Sequence, residues 1–195
     1  KTFSLAELVG IKPNEVVQEI LEALVLCNET KKANGVNGDV LKGTPTERAL
    51  FAFALETGID PITLLNQHKR TGEIPFDSSR KYRVTQHQDG FGCKQILIGA
   101  SARVFALCDM TSSERSVFEQ MEHEKANEGF RLVAVAIKKI PSVCTPLTAD
   151  ELNGFSCLGL AALQDPLRKD VPAHIEAVRR AGIRTVIVTG DHPAT

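Results

Sequence analysis

The chain has 195 residues, 43% of them hydrophobic and 24% charged, with a net charge of −1 at neutral pH. This is ordinary globular composition, with room for one or two domains and a sizeable core, and its near-zero charge excludes bulk electrostatic binding to nucleic acid or membrane. No apolar run reaches the ~18–20 residues that span a bilayer, and no stretch reads as a signal peptide. The five cysteines (Cys27, Cys93, Cys108, Cys144, Cys157) are scattered and form no CxxC. They read as buried or idle thiols of a reducing compartment, not as a disulfide framework or a zinc site.

Lys1–Gly10 is short and mixed, an edge strand or a junction. Pro13–Cys27 reads as a helix. Val16, Val17, Ile20, Leu21, Leu24 and Val25 recur at helical spacing, and Glu15, Gln18, Glu19 and Glu22 lie opposite them. Glu29–Gly43 reads as a loop, with Asn34-Gly35 and Asn37-Gly38 as turn signals. Thr44, Pro45 and Glu47 spell a capping box with proline at the first helical position. They open a helix that runs to about Gly58, so Glu47 has a structural role as a cap. Asp60-Pro61 starts a short helix to about His68, which reads as a surface histidine.

Gly72–Gln86 reads as two strands about a kink, Glu73–Phe76 and Arg80–Thr85, with turn chemistry at Asp77-Ser78-Ser79. Phe76 is either a core residue at a strand end or an aromatic face for a purine. His87–Gly92 reads as a hairpin turn with Asp89-Gly90 at its tip. Lys94–Ile98 is a strand leading to Gly99-Ala100. A short helix over Ser101–Leu107 follows, then a longer one over Thr111–Asn127. The longer helix has a second capping box in Thr111 and Glu114, with Phe118 and Met121 facing inward.

Gly129–Ala136 reads as a strand. Its Arg131 either faces solvent or offers a fork of donors to an anion. Lys138–Asp150 is linker-like. Phe155–Ala162, the helix Val171–Ala181 and the β-branched run Ile183–Val188 read as one βαβ unit with a buried parallel last strand. That strand leads into Thr189-Gly190-Asp191, a hydroxyl, bare backbone and a carboxylate at the strand end where open α/β sheets bind ligands. The plainer reading of the same residues is a turn.

Asp165-Pro166-Leu167-Arg168, then Ala181-Gly182-Ile183, then Thr189-Gly190-Asp191-His192-Pro193-Ala194-Thr195 follow in an order and spacing that resemble the phosphorylation domain of the P-type ATPases. These are ion pumps phosphorylated on aspartate, and the resemblance is strongest to their type-II branch. Other stretches resemble the nucleotide-binding domain of the same pumps: Gly43-Thr44-Pro45-Thr46-Glu47-Arg48-Ala49-Leu50, Phe76-Asp77-Ser78-Ser79-Arg80-Lys81, Gly99-Ala100 and Gly129-Phe130-Arg131.

The resemblance implies an α/β chain. A nucleotide-binding domain over 1–153, with an antiparallel sheet flanked by helices, would precede a partial phosphorylation domain over 154–195, a βαβ piece of haloacid-dehalogenase-like fold. It implies ATP and Mg2+ as cofactors. Phe76 would stack on adenine, Glu47 would face the adenine amino group, Lys81 would line the same pocket beside Gly99, and Arg131 would reach the phosphates. Thr189 and Gly190 would hold the transferring phosphoryl group, Asp191 would act near ribose or metal, and Asp165 and Arg168 would lie at a hinge. One position departs from the pattern. The family has lysine before Gly99, deep in the pocket, and this chain has Ile98. Either ATP binds more weakly, or Lys81 or Arg131 compensates.

The resemblance further implies the cytoplasmic portion of an integral membrane protein. Its partners would be the membrane helices, the actuator domain and the rest of the phosphorylation domain, with no nucleic acid. Neither the DKTGT motif of the phosphorylated aspartate nor the later magnesium motif is present. The chain is therefore expected to be a piece between them, with no catalytic residue and no metal site of its own. Two other classes stand beside this reading. A soluble haloacid-dehalogenase-like phosphatase would need a D-x-D-x-T-like nucleophile, and none is visible. A non-catalytic nucleotide-binding or regulatory module with weakened ATP affinity would suit Ile98.

Overall fold

The computed structural model describes residues 14–35, 38–90, 92–164, 170–186 and 188. A five-stranded antiparallel sheet organises them, in the order β3-β4-β5-β6-β7. Its strands are β3 (Arg70–Ile74), β4 (Tyr82–Asp89), β5 (Gly92–Gly99), β6 (Arg131–Ile140) and β7 (Ser156–Leu163). Central β5 is buried on both faces, which is why Gln95-Ile96-Leu97-Ile98 reads as a nearly continuous apolar run. Side chains alternate across a strand. Ile96 and Ile98 of β5 therefore join Val135 and Ile137 of β6 on one face, while Leu97 joins Val84, Ala134 and Ala136 on the other.

Three helices cover the first face. In α1 (Glu15–Leu26), the Asn14 side chain accepts from the Val17 amide at 2.9 Å, and Leu21, Leu24 and Val25 are buried. In α2 (Pro45–Glu56), both halves of the expected capping box form, and Leu50, Phe51 and Ala54 face inward. α3 (Pro61–Gln67) is capped by Asp60 and contributes Leu64. The second face is covered by α4 (Ser101–Phe105) and by Phe118 of α5 (Ser112–Asn127), whose ring centroid lies 5.8 Å from that of Phe105. Each large apolar side chain buried this way contributes roughly 1.5–3 kcal/mol.

Several expectations are corrected. The Glu29–Gly43 loop contains a hairpin, β1 (Lys31–Gly35) against β2 (Gly38–Lys42), with Gly35 paired to Gly38. The turn signals flagged this stretch, and its polar composition hid the arms. The hairpin after β4 is tighter than expected: Asp89 pairs with Gly92, so His87 is a buried ladder residue opposite Lys94. His68 is partly buried rather than a surface residue, and its carbonyl accepts from the His87 ring at 3.0 Å. The expected linker begins inside β6, which pairs with β5 as far as Ile140. Cys93 and Cys144 form a disulfide with Cα atoms 5.1 Å apart, against the reading of all five as thiols, while Cys27, Cys108 and Cys157 are free.

The carboxyl-terminal part also differs. β7 pairs antiparallel with β6, so it completes this sheet rather than starting a βαβ unit. The helix α6 (Val171–Arg180) forms and Gly182 ends it at φ 76°, a left-handed turn that glycine adopts without strain. No strand is present over residues 183–186 or at 188, and Ile183, Val186 and Val188 are exposed. A parallel strand needs a neighbouring strand to complete its hydrogen bonds, and among the described residues none lies beside this run.

Candidate functional site

The ladder register brings most of the expected residues to one end of the sheet. Tyr82, at the start of β4, pairs with Gly99 at the end of β5, and Gly99 pairs with Ala134 near the start of β6. Lys81 precedes Tyr82, Arg131 opens β6, and Phe76 follows the end of β3, where Ile74 pairs with Val84. Glu47 lies in the first turn of α2, which packs on the Ile98 face. Phe76, Lys81, Gly99, Arg131 and Glu47 therefore share one end of one layer pair, although they are spread over 85 positions of sequence.

Local chemistry positions each of them. Asp77 accepts from the amides of Ser79 at 2.8 Å and Arg80 at 3.2 Å, and its carbonyl accepts from the Lys81 amide at 2.7 Å. This tight turn leaves Phe76 59% exposed, so an aromatic ring faces solvent where a core residue would be buried. It also holds Lys81 at φ 61°, the only non-glycine among the described residues with positive φ. A side chain in that conformation costs roughly 1–2 kcal/mol. Strain of this kind is found at functional sites more often than elsewhere.

Glu47 is held from two sides. One carboxylate oxygen accepts from the Thr44 hydroxyl at 2.7 Å and the Thr44 amide at 3.1 Å. The other accepts from Arg83 Nη1 at 2.7 Å. Partial burial works to raise the Glu47 pKa, but the Thr44 hydrogen bonds and the Arg83 guanidinium outweigh it and hold the carboxyl below its ordinary range. Asn28 fixes the turn from below, donating to the Glu47 carbonyl at 2.9 Å and to the Leu24 carbonyl at 3.1 Å. A carboxylate has about four lone-pair sites, so Glu47 retains acceptor capacity after these bonds.

Two residues of this corner escaped the sequence reading. Arg83 sits in a strand where arginine usually faces water, and only the ladder shows it opposite Ile98. Asn28 lies just past the end of the predicted helix, and nothing local pointed to its bond across to α2. Ile98 itself is 8% exposed and packs among Leu24, Leu50 and Phe51, so position 98 carries no charge and belongs to the core. Lys94 lies buried farther along β5, 3.8 Å from Glu22. A groove of about 550 Å³ lies at the opposite end of the sheet, between Asp89, Cys93 and Pro141, and none of the expected residues line it. Asp165, Arg168, Thr189, Gly190 and Asp191 lie outside the described residues.

This is a mixed α/β domain whose sheet gathers an exposed aromatic ring, a partly buried carboxylate–guanidinium pair and two further cations at one end. The chain belongs to the P-type ATPases: residues 16–170 match the family model described as P-type ATPase, cytoplasmic domain N. A calcium-transporting ATPase of Listeria monocytogenes is 32% identical over 93% of this chain and 22% of its own length. A calcium-transporting ATPase of Lactococcus lactis is 34% identical over 90% of the chain and 21% of its length. The alpha-A subunit of a sodium/potassium-transporting ATPase of Artemia franciscana is 29% identical over 91% and 20% respectively. The chain thus spans about a fifth of the length of these relatives. Among the described residues no helix is long and apolar enough to cross a membrane.

Proposed function

We propose that the chain binds ATP as the nucleotide-binding part of a cation-translocating P-type ATPase, which couples ATP hydrolysis through an aspartyl-phosphate to ion transport. The observation that carries this reading is the convergence of Phe76, Glu47, Lys81, Gly99 and Arg131 at one end of the sheet. The residues present fit the ligand. Phe76 offers an open face for a base, and Gly99 keeps the backbone beside Lys81 free of side-chain bulk. Glu47 would accept from the adenine amino group. Lys81 and Arg131 would meet the anionic phosphates, and the planar fork of Arg131 suits phosphoryl oxygens.

Phosphoryl transfer depends mostly on positioning and charge neutralisation. In this reading Thr189 and Gly190 hold the phosphoryl group, Asp191 lies near ribose or Mg2+, and Asp165 and Arg168 flank the hinge to the phosphorylation domain. This reading keeps the nucleotide-binding unit at 1–153 and the partial phosphorylation unit at 154–195, with β7 pairing back onto β6. The exposed Ile183, Val186 and Val188 would be covered by the rest of the phosphorylation domain. Without the phosphorylated-aspartate motif, this chain alone forms no phosphoenzyme. Sustained magnesium-dependent turnover by the pure chain would overturn that statement.

Calorimetric titration of ATP and AMP into the chain and its Phe76→Ala variant tests the reading. Loss of the stacked ring should weaken both nucleotides by about 1–3 kcal/mol, roughly five- to 150-fold, without lowering Tm. Equal binding by both proteins would sink it. The second reading, a regulatory module with weakened nucleotide affinity, is favoured by one observation, the apolar Ile98 buried where the family pattern has a lysine. No binding by the original chain, with binding restored by Ile98→Lys, would support that alternative.

A further inference from the structure

The segment Pro141–Thr148 follows β6 and forms neither helix nor strand. Pro141 and Pro146 have no amide to donate, and most of the segment is exposed. It is a strap across the face of the sheet that carries Val84 and Leu97, and side chains fasten it there. Cys144 is bonded to Cys93 at the start of β5. The Thr145 carbonyl accepts from Gln86 Nε2 at 2.8 Å, and Gln86 Oε1 accepts in turn from Gln95 Nε2 at 3.0 Å. Leu147 lies on Gly72 of β3, where a Cβ would stand 3.4 Å from the Leu147 Cβ, and it packs against the core cluster that contains Ile74.

β3 is the strand this strap clamps. It is an edge strand, paired with β4 alone, and its register breaks between Arg70 and Gly72. Arg70 fastens its start to the Leu26 and Asn28 carbonyls at 2.8 and 3.0 Å. Its second half, from Gly72 to Ile74, lies beside Leu147, and Phe76 follows two residues later. A continuous line of contacts therefore runs from the Cys93–Cys144 bond through the strap to the strand that leads into Phe76.

The matching family model describes a cytoplasmic domain. Thiols are kept reduced in the cytoplasm, and the disulfides found there are mostly transient or redox-sensing. Cys93 is buried, whereas Cys144 is only partly buried and sits in the exposed strap, so a small thiol meets the Cys144 sulfur first. We propose that Cys93 and Cys144 form a redox-operated latch: the disulfide holds the strap on β3, and the dithiol releases it, loosening β3 and weakening nucleotide binding at Phe76. The reductant is a low-molecular-weight thiol. Its thiolate attacks Cys144 Sγ, the Cys93–Cys144 bond breaks, and Cys93 leaves as a thiolate that takes a proton from water. A second thiolate attacks the reductant's sulfur in the mixed disulfide. It releases Cys144 as a thiolate, and the reductant leaves as its own disulfide. Two electrons thus pass from two small thiols to the protein, and the reverse exchange closes the latch. The link to nucleotide affinity rests on the nucleotide-binding reading; the latch itself does not.

The test equilibrates the 195-residue chain in mixtures of reduced and oxidised glutathione, from a cytoplasm-like ratio to an oxidising one. Alkylation and mass spectrometry count the thiols, hydrogen exchange reads local opening, and calorimetry reads ATP affinity. Cys93 and Cys144 should pass together from alkylated to bonded within this range. Reduction should raise exchange severalfold over residues 142–148 and 72–76 while α1 and β6 stay protected, and ATP affinity should fall severalfold. The Cys93→Ser, Cys144→Ser double variant should match the reduced chain and ignore the ratio. A bond that stays intact at the cytoplasm-like ratio is a structural disulfide, and that result overturns the proposal. So does reduction that leaves exchange over 72–76 unchanged, or that raises exchange evenly across the chain. If the double variant fails to fold, Leu147→Ala in the oxidised chain decides. It should loosen 72–76 and weaken ATP with the bond intact, and unchanged exchange there overturns the proposal. Failure of the original chain to bind ATP at any ratio, or indifference to Phe76→Ala, would strike the nucleotide reading, and exchange would still decide the latch.

Discussion

Gly99 lies against the backbone of Lys81. The Lys81 carbonyl accepts from the Ala100 amide at 2.9 Å, and a Cβ at position 99 would stand 2.5 Å from that carbonyl oxygen and 2.6 Å from the Tyr82 Cα. No side chain fits between these strands without moving one of them. Gly99→Ala is therefore expected to destabilise the chain by about 1–3 kcal/mol, the usual range for overpacking. It should also weaken ATP binding, because the strand that moves carries Lys81. Urea denaturation and calorimetry would show both effects. Unchanged stability would mean that the two strands do not approach this closely.

Lys81 at φ 61° separates fold from function in the opposite sense. Glycine accepts that conformation freely, so Lys81→Gly should leave stability unchanged or raise it by up to about 1 kcal/mol. The same change removes an ammonium from the corner and should weaken ATP. A variant that loses stability and keeps its affinity would place Lys81 in the fold alone.

His87 gives the chain a specific pH dependence. Burial pushes its pKa down from 6.5 to about 4, helped by the nearby Arg70 charge and opposed by the hydrogen bond to the His68 carbonyl. The folded state thus binds fewer protons than the unfolded state between those values. The stability this contributes is fully present above about pH 6.5 and is lost as pH falls through about 4, a span worth at most about 3 kcal/mol. Denaturant midpoints should fall over this window in the original chain and fall less in His87→Gln. Parallel curves for the two proteins would remove His87 as the cause.

The Cys93–Cys144 disulfide ties the start of β5 to the segment after β6, with the two cysteines 51 positions apart. Constraining a loop of this length stabilises by about 2–4 kcal/mol through the unfolded state. Reduction with dithiothreitol, or Cys144→Ser, should lower Tm by several degrees, and reduction should have no further effect on the Ser variant. Thiol titration of the unfolded, unreduced chain should find three cysteines free; five would disprove the bond.

Local signals in the sequence determined a good part of this protein. The Thr44–Glu47 and Thr111–Glu114 capping boxes formed as written, because a cap depends on residues three apart. The stripe in α1 and the apolar run of β5 marked core elements for the same reason: periodicity is a property of the segment itself. The motifs around Phe76 and Arg131 carried enough information to place the chain in its family.

Register, partnership and charge pairing were decided only by the tertiary structure. The two arms of the β1–β2 hairpin are stabilised by each other, and their polar residues announce only the turn. Ile183–Val188 reads as a strand from its composition, yet a strand exists only beside another. Cys93 and Cys144 meet because β5 and the end of β6 lie side by side, which no spacing of cysteines discloses. Arg83 is the clearest case. Nothing among its sequence neighbours points to its partner, and only the pairing of β4 with β5 and the packing of α2 bring it opposite Ile98 and onto Glu47. Interactions between residues 36 positions apart have no local signature, because the chain between them is free to take many paths until the whole core forms.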